Sequence, residues 1–177
     1  MFKIIKDFLR KRNLKRFSST VETGITPLSK ISTAVTFIDV EDPSFDVCKA
    51  AILNFYRSNN IRGEIFFFDF RKISNEERLI TSITTTVLKK DLSWTGKPSR
   101  EKVDVMLGSN PDLFISLIND DSFPIEFMAK CSRAKFKIGR KQLPGGTFDL
   151  VVTDPAERAY SQAEVFFAIK TYLNKIA

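Results

Sequence analysis

Residues 61–70 read IRGEIFFFDF, and this near-continuous apolar run decides the fold class. A strand with one face in water alternates apolar and polar side chains, whereas an unbroken apolar strand is typical of a parallel sheet covered on both faces. Five more segments have the composition of buried strands. They cover residues 31–40, 80–90, 112–118, 134–139 and 148–153.

Helical patterns lie between most of these strands. Helix starts are predicted at Pro43, Ser99 and Pro124, and Ser161 with Glu164 has the spacing of a capping box. Strands that alternate with helices predict right-handed crossovers. We therefore expect a three-layer α/β domain, Rossmann-like or flavodoxin-like, with a mostly parallel sheet of about six strands.

Three local predictions are less regular. The fifth and sixth strands leave no room for a helix between them, so they could form an antiparallel hairpin at the sheet edge. Ser74 and Glu77 have the spacing of a short helical turn. Gly108 would end the helix that begins after Ser99.

Positive charge is concentrated in the first 16 residues. The chain of 177 residues has a net charge of +7, and this short segment supplies all but one of those charges. Its basic residues are Lys3, Lys6, Arg10, Lys11, Arg12, Lys15 and Arg16. We therefore divide the chain into a basic arm (1–17), a loose linker (18–30) and a single α/β domain (31–177).

The arm begins as an amphipathic helix over residues 2–11. On a helical wheel its apolar side chains lie opposite Lys3, Lys6 and Arg10, whereas Leu14 and Phe17 fall on the polar side. The apolar set is Ile4, Ile5, Phe8 and Leu9.

Four interpretations of the arm stay open. Ile5, Phe8 and Leu9 could dock on the domain and leave the cations in water. The helix could lie on an anionic membrane surface, where apolar insertion and basic side chains together give weak, reversible attachment. The arm could bind nucleic acid or the ribosome through counterion release. It could also be a mitochondrial transit peptide, which residues 17–20 (FSST) would fit.

The composition excludes several classes of site. The chain has no histidine, which rules out Ser-His and Cys-His catalysis and metal sites that need imidazole. Cys48 and Cys131 are too few for a disulfide framework, and we expect both in the core. We find no secretory signal and no membrane span, which predicts a cytoplasmic protein, peripheral at the inner membrane if the arm binds lipid.

Candidate ligand-binding residues follow the strands, because open α/β sheets bind ligands at the carboxyl ends of their strands. Asp39 with Asp120 and Asp121 could hold Mg²⁺ if the first and fourth strands are neighbours. The competing interpretation is that such acidic residues end strands and cap helices. Our candidate set is Asp39, Trp94, Lys97, Asn119, Asp120 and Asp121.

Two further residues have alternatives of their own. Lys97 and the amides after Ser99 could bind a phosphate at a helix N-terminus, or they could form a solvated loop. Trp94 could stack on a base or a sugar ring, or it could cover the core. No catalytic residue and no particular cofactor is indicated by these patterns.

Five segments resemble a family of short uncharacterised α/β proteins from Bacteroidetes. They are residues 89–98 (KKDLSWTGKP), 112–117 (DLFISL), 132–139 (SRAKFKIG), 147–150 (TFDL) and 171–176 (TYLNKI). The resemblance runs along nearly the whole chain and implies a bacterial cytoplasmic origin, which counts against a transit peptide. It implies no activity, because the function of that family is unknown.

Residues 112–139 are also similar to the donor-binding half of two-domain glycosyltransferases, with a strand, an acidic turn and a helix that begins at a proline. That similarity implies a nucleotide-sugar site at the strand ends, but an active transferase would need a second domain. The function that we predict is a non-enzymatic interaction module or peripheral membrane module. The alternative is a nucleotide or nucleotide-sugar binding domain.

Overall fold

The computed structural model describes residues 1–74, 76–78 and 82–176. The α-helices in this part of the chain are α1 (Phe2–Phe17), α2 (Phe45–Ser58), α3 (Arg100–Ser109), α4 (Phe123–Cys131) and α5 (Gln162–Leu173). The strands are β1 (Thr33–Asp39), β2 (Arg62–Asp69), β3 (Thr86–Leu88), β4 (Leu113–Ser116), β5 (Phe136–Gly139) and β6 (Leu150–Val151).

The strands form one open sheet in the order β3-β2-β1-β4-β5-β6, and every described pair is parallel. This is the strand order of Rossmann folds, in which the direction of winding reverses between β1 and β4. The predicted three-layer α/β fold is therefore confirmed. Its switch point lies between the carboxyl ends of β1 and β4.

The predicted antiparallel hairpin is wrong, because β5 and β6 are parallel with Ile138 opposite Leu150. Residues 140–149 carry the chain back along the sheet without a helix. Two features fix this return path. Gly145 and Gly146 both have positive φ, and Phe148 packs onto Gly139, where a Cβ atom would lie 2.3 Å from the ring.

Other boundaries also differ from the prediction. β3 is shorter than the predicted segment 80–90, and residues 80 and 81 lie outside the described part of the chain. The predicted turn between Ser74 and Glu77 includes residue 75, which is also not described. Gly108 does not end α3; the helix continues to Ser109, and Asn110 takes the left-handed conformation at φ 37°.

Helices cover both faces of the sheet. Ala34 and Ile38 of β1 face the layer of α2 and α5, whereas Val35 and Phe37 face the layer of α3 and α4. Cys48 and Cys131 are buried and free, as expected. Burial raises the pKa of both thiols to about 12, so neither is a reactive thiolate near neutral pH.

The predicted capping box at the start of α5 is confirmed. The Glu164 amide donates to Ser161 Oγ, and the Ser161 amide donates to Glu164 Oε2. Two otherwise unpaired amides at the helix start are satisfied in this way. The same helix start is attached to the end of β1, because the Gln162 side chain accepts from the Asp39 amide and donates to the Asp39 carbonyl oxygen.

Candidate functional site

The switch point contains a cleft of about 240 Å³ at the carboxyl ends of β1 and β4. Parallel pairing of β1 with β4 confirms that these strands are neighbours. The fold thus brings three of the predicted ligand residues together: Asp39, Asn119 and Asp120. The rest of the lining consists of Glu41, Asp42, Leu117, Ile118 and Arg140.

The other three candidates lie elsewhere. Trp94 and Lys97 belong to the loop after β3, which is two strands away from β1 in the sheet. Trp94 is 60% exposed, so it does not cover the core. Lys97 Nζ lies 4.6 Å from the Phe17 ring centroid, and Asp121 forms an exposed ion pair with Lys141 at 3.4 Å.

The carboxylates of the cleft already accept hydrogen bonds from nearby backbone amides. The Glu41 amide donates to Asp39 Oδ1 at 2.8 Å, and the Ser122 amide donates to Asp120 Oδ1 at 2.9 Å. Asp42 Oδ1 accepts from the Ser44 amide at 2.9 Å. Among the described residues, no group of three or more acidic, cysteine or histidine side chains is arranged to hold a metal ion.

The electrostatics of the cleft are acidic. Burial raises the pKa of Asp39, and the neighbouring charges of Glu41, Asp42 and Asp120 raise it further, although the Glu41 amide acts in the opposite direction. Arg140 is the cation of this cleft, and it is held by Asp154 at 3.1 Å and by the Tyr160 carbonyl oxygen. A ligand with free phosphates would meet repulsion here.

The usual phosphate position of a Rossmann fold is also altered. A Gly-rich turn after β1 normally lets a pyrophosphate reach helix amides, but here residues 40–43 read VEDP. The first amides of α5, which adjoin this turn, already have partners. The Gln162 amide donates to Asp42 Oδ2 at 3.2 Å, and the Ala163 amide donates to Ser44 Oγ at 3.1 Å.

The basic arm forms α1, and one face of this helix docks on the domain. Arg10 Nε donates to the Thr95 carbonyl oxygen at 2.7 Å, and the Arg10 guanidinium lies 4.8 Å from the Phe123 centroid. Leu14 and Phe17 pack against the core between the sheet and the layer of α3 and α4. We call these three side chains, Arg10, Leu14 and Phe17, the docked face.

The docking interpretation named other side chains. It placed Ile5, Phe8 and Leu9 against the domain, but Ile5 and Phe8 are 45% and 65% exposed, and Leu9 is half-buried. Leu14 and Phe17 make the contact instead, although the wheel put them on the polar side. The linker is held as well, because the amides of Ser19 and Gly24 donate to the Lys130 and Lys135 carbonyl oxygens at 2.8 Å each.

The opposite side of α1 is open to solvent. Its first two turns present Ile4, Ile5 and Phe8, and its last two turns present basic side chains. We call this set the free face: Ile4, Ile5, Phe8, Lys11, Arg12, Lys15 and Arg16. Among the described residues, no ion pair involves these four cations, so their charge is uncompensated at short range.

One buried amine was not predicted from the sequence. Lys137 lies in the middle of β5, and its Nζ donates to the Ala129 carbonyl oxygen near the end of α4 at 3.0 Å. Burial lowers the pKa of Lys137 to about 8. The only signal in the sequence was a lysine inside an otherwise apolar strand. Its contact ties α4 to the sheet and involves no cleft residue.

Among the described residues, no helix combines the length and the apolar character that crossing a bilayer requires.

Comparisons with known proteins add a family and no activity. Neither the curated proteins nor the solved structures gave a match. Residues 3–176 match DUF6913, a family of unknown function, and the chain therefore belongs to that family.

Proposed function

We propose that the protein is a non-enzymatic module that attaches peripherally to an anionic membrane surface through the free face of α1. The observation that carries the proposal is the composition of this face. Ile4, Ile5 and Phe8 are exposed on the same side of the helix as four cations without ion-pair partners among the described residues. The family match begins at residue 3, so α1 belongs to the matched region.

A bilayer interface would stabilise both parts of the free face. A lysine or arginine near an anionic leaflet contributes about 1 kcal/mol, so the four cations would contribute about 4 kcal/mol. An apolar side chain contributes about 1.5–3 kcal/mol when it is fully buried, and less when it is only partly inserted. The sum is sufficient for reversible peripheral binding.

The apolar residues favour a membrane over a nucleic acid. Phosphate groups of either partner would attract the cations, but a nucleic-acid backbone would leave Ile4 and Phe8 in water. A lipid surface accepts cations in its headgroup region and apolar side chains just below it. The docked face stays on the domain in this arrangement, so the whole domain would be carried to the membrane.

The test is co-sedimentation of the full chain with vesicles of phosphatidylcholine, with and without phosphatidylglycerol. We expect binding to the anionic vesicles, and we expect Ile4→Glu with Phe8→Glu to weaken it by about tenfold or more. The matched control is Val47→Glu with Phe167→Glu, which changes two apolar side chains that are 67% and 64% exposed on α2 and α5. Equal loss in both double variants would refute the proposal, and so would absence of binding by the wild type. RNA binding without vesicle binding would identify a nucleic-acid partner instead.

The alternative function keeps one supporting observation, the meeting of Asp39, Asn119 and Asp120 at the switch point. A nucleotide or nucleotide sugar with Mg²⁺ could be detected as a rise in the melting temperature of the full chain. The acidic lining supports this alternative less well than the free face supports membrane binding. A Bacteroidetes origin and a location at the cytoplasmic side of the inner membrane also stay proposals.

A further inference from the structure

We propose that a pocket at the end of α1 binds a phosphate group, carried either by a soluble molecule or by a lipid headgroup. The pocket has a volume of about 480 Å³, and three segments line it. They are the end of α1 with the first linker residues, the end of α3, and the loop between α4 and β5. The inference goes beyond the proposed function and stands whether or not the chain attaches to membranes.

The lining of this pocket is basic. Arg16 and Arg133 contribute to it, and none of the described residues that line it is acidic. Both arginines are exposed, and in the described part of the chain neither takes part in an ion pair. A guanidinium group suits phosphate, because it can donate two parallel hydrogen bonds to the phosphate oxygens.

Neutral donors surround the two arginines. The side chains of Ser18, Thr20 and Asn110 also line the pocket, and their hydroxyl and amide groups can donate to an anion. The pocket is about twice as large as the switch-point cleft of about 240 Å³, so it has room for an organic group beside the phosphate.

The walls of the pocket are already in place. The Ser18 amide donates to the Leu14 carbonyl oxygen at 2.9 Å, and the Ser19 amide donates to the Lys130 carbonyl oxygen at 2.8 Å. The Arg16 guanidinium lies 5.2 Å from the ring centroid of Phe17, which fixes the direction of this side chain. A ligand therefore loses little free energy to the ordering of its site.

A purely structural role for the arginines is the competing interpretation, because cations favour the C-terminal ends of helices. α1 and α3 end at this pocket, and α4 ends two residues before Arg133. Each helix end is equivalent to about −0.5 charge, so the three ends sum to about −1.5. The two guanidinium groups carry two full positive charges, and Lys137 Nζ already compensates α4 through the Ala129 carbonyl oxygen. The surplus is positive, which favours an anion.

The pocket also lies on the side of the sheet that is remote from the acidic cleft. Asn110 and Arg133 precede β4 and β5, so the pocket is at the amino ends of these strands. The switch-point cleft is at the carboxyl ends, where its carboxylates would repel a phosphate. An anionic ligand is therefore directed to the pocket and away from the cleft.

The test is a titration of the full chain with inorganic phosphate at constant ionic strength, followed by the melting temperature. A ligand at about ten times its Kd should raise the melting temperature by roughly 3–6 °C in a domain of this size. Arg133→Gln should weaken phosphate binding by about fivefold or more. The matched control is Arg57→Gln, which removes an exposed arginine from the last turn of α2. General salt effects of phosphate act on all three proteins alike.

The inference is overturned if phosphate does not raise the melting temperature of the wild type, or raises it equally in Arg133→Gln. It is also overturned if Arg57→Gln weakens binding as much as Arg133→Gln does. Co-sedimentation with phosphatidylcholine and phosphatidylglycerol vesicles then identifies the source of the phosphate group. Competition by inorganic phosphate, with weaker sedimentation of Arg133→Gln, would identify a lipid headgroup. Phosphate binding without any effect on sedimentation, or without sedimentation of the wild type, would identify a soluble ligand.

Discussion

Phe17 of α1 meets Phe127 of α4 edge to face, with ring centroids 5.8 Å apart and ring planes inclined by 67°. The two residues are separated by more than a hundred positions in the chain. Edge-to-face pairs of this kind contribute beyond the area that they bury. Phe17 is therefore an aromatic anchor of α1 on the domain.

Phe17→Ala should release α1 and lower the free energy of unfolding by about 1–3 kcal/mol, less than for a fully buried phenylalanine. Amide hydrogen exchange across residues 2–17 should become faster, and trypsin should cleave sooner at the basic residues of α1. Phe8→Ala is the control, because Phe8 is on the free face. Unchanged exchange in Phe17→Ala would contradict the docking that we describe.

The free-face cations should account for the salt dependence of vesicle binding. Changing Lys11, Arg12, Lys15 and Arg16 to glutamine should remove most binding to anionic vesicles, and the residual binding should depend little on ionic strength. The control changes four exposed cations elsewhere, namely Arg57, Arg62, Lys72 and Lys175. Because both variants lose the same net charge, equal effects would point to total charge and not to the free face.

Gly63 on β2 lies directly against the ring of Tyr56. A Cβ atom at this position would be 2.0 Å from the ring, and Tyr56 cannot easily move because its hydroxyl bonds Thr36 Oγ1 at 2.6 Å. Gly63→Ala should therefore destabilise the protein by about 1–3 kcal/mol in urea unfolding. Gly24→Ala, where the added atom meets nothing within 4 Å, should change stability by well under 1 kcal/mol.

Asp112 should make the fold sensitive to acid. Burial alone would raise the pKa of this carboxyl, but bonds from Lys135, Ser32 and Thr33 lower it well below its usual range. Since the folded pKa is below the unfolded value of about 4, the stabilisation is present at neutral pH and is lost as the pH falls below about 4.

The test compares unfolding of the wild type and Asp112→Asn between neutral and acidic pH. The variant should be less stable by about 1–3 kcal/mol at neutral pH, because the donors of Ser32, Thr33 and Lys135 lose a charged acceptor. The difference should shrink as the pH falls. Asp104→Asn is the control, because Asp104 has only an exposed pair with Arg100. A difference that stays constant with pH would contradict the assignment.

Lys137 should make the stability of the protein depend on pH in the alkaline range, whereas Asp112 acts in the acidic range. Its folded pKa of about 8 is below the unfolded value of about 10.4, so the unfolded chain binds more protons between these values. Stability contributed by this group therefore rises as the pH increases through this range. Lys137→Met should abolish that rise. Both proteins contain the two cysteines, so the difference between their free energies of unfolding at each pH reports on Lys137 alone. If the free energy of unfolding changed with pH in the same way in both proteins, this role of Lys137 would be contradicted.

The local sequence pattern was sufficient to predict that both faces of the sheet are covered. The apolar run of β2 predicted a doubly covered sheet because burial on both faces leaves no place for alternating polar residues. The capping box at Ser161 predicted the start of α5 for a similarly local reason. The direction of β6 could not be predicted in this way, since it depends on how residues 140–149 pack over Gly139.

The candidate site could be predicted only for residues whose positions follow from the order of the strands alone. Asp39 and Asp120 meet because β1 and β4 are neighbours at a switch point. The helical wheel of α1 grouped Ile4, Ile5 and Phe8 correctly, yet it could not tell which side faces the domain. That choice depends on Thr95, Phe123 and Phe127, which are distant in sequence and come together only in the fold.

The docked face also restricts how a bound molecule could be oriented. Because α1 is fixed to the domain beside α4, it would not act as a free tether, and the domain would not tumble on the surface. The layer of α2 and α5 lies on the opposite side of the sheet and would always point away from the lipid. Any partner arriving from the aqueous side would then meet the same surface in every copy, with diffusion confined to two dimensions.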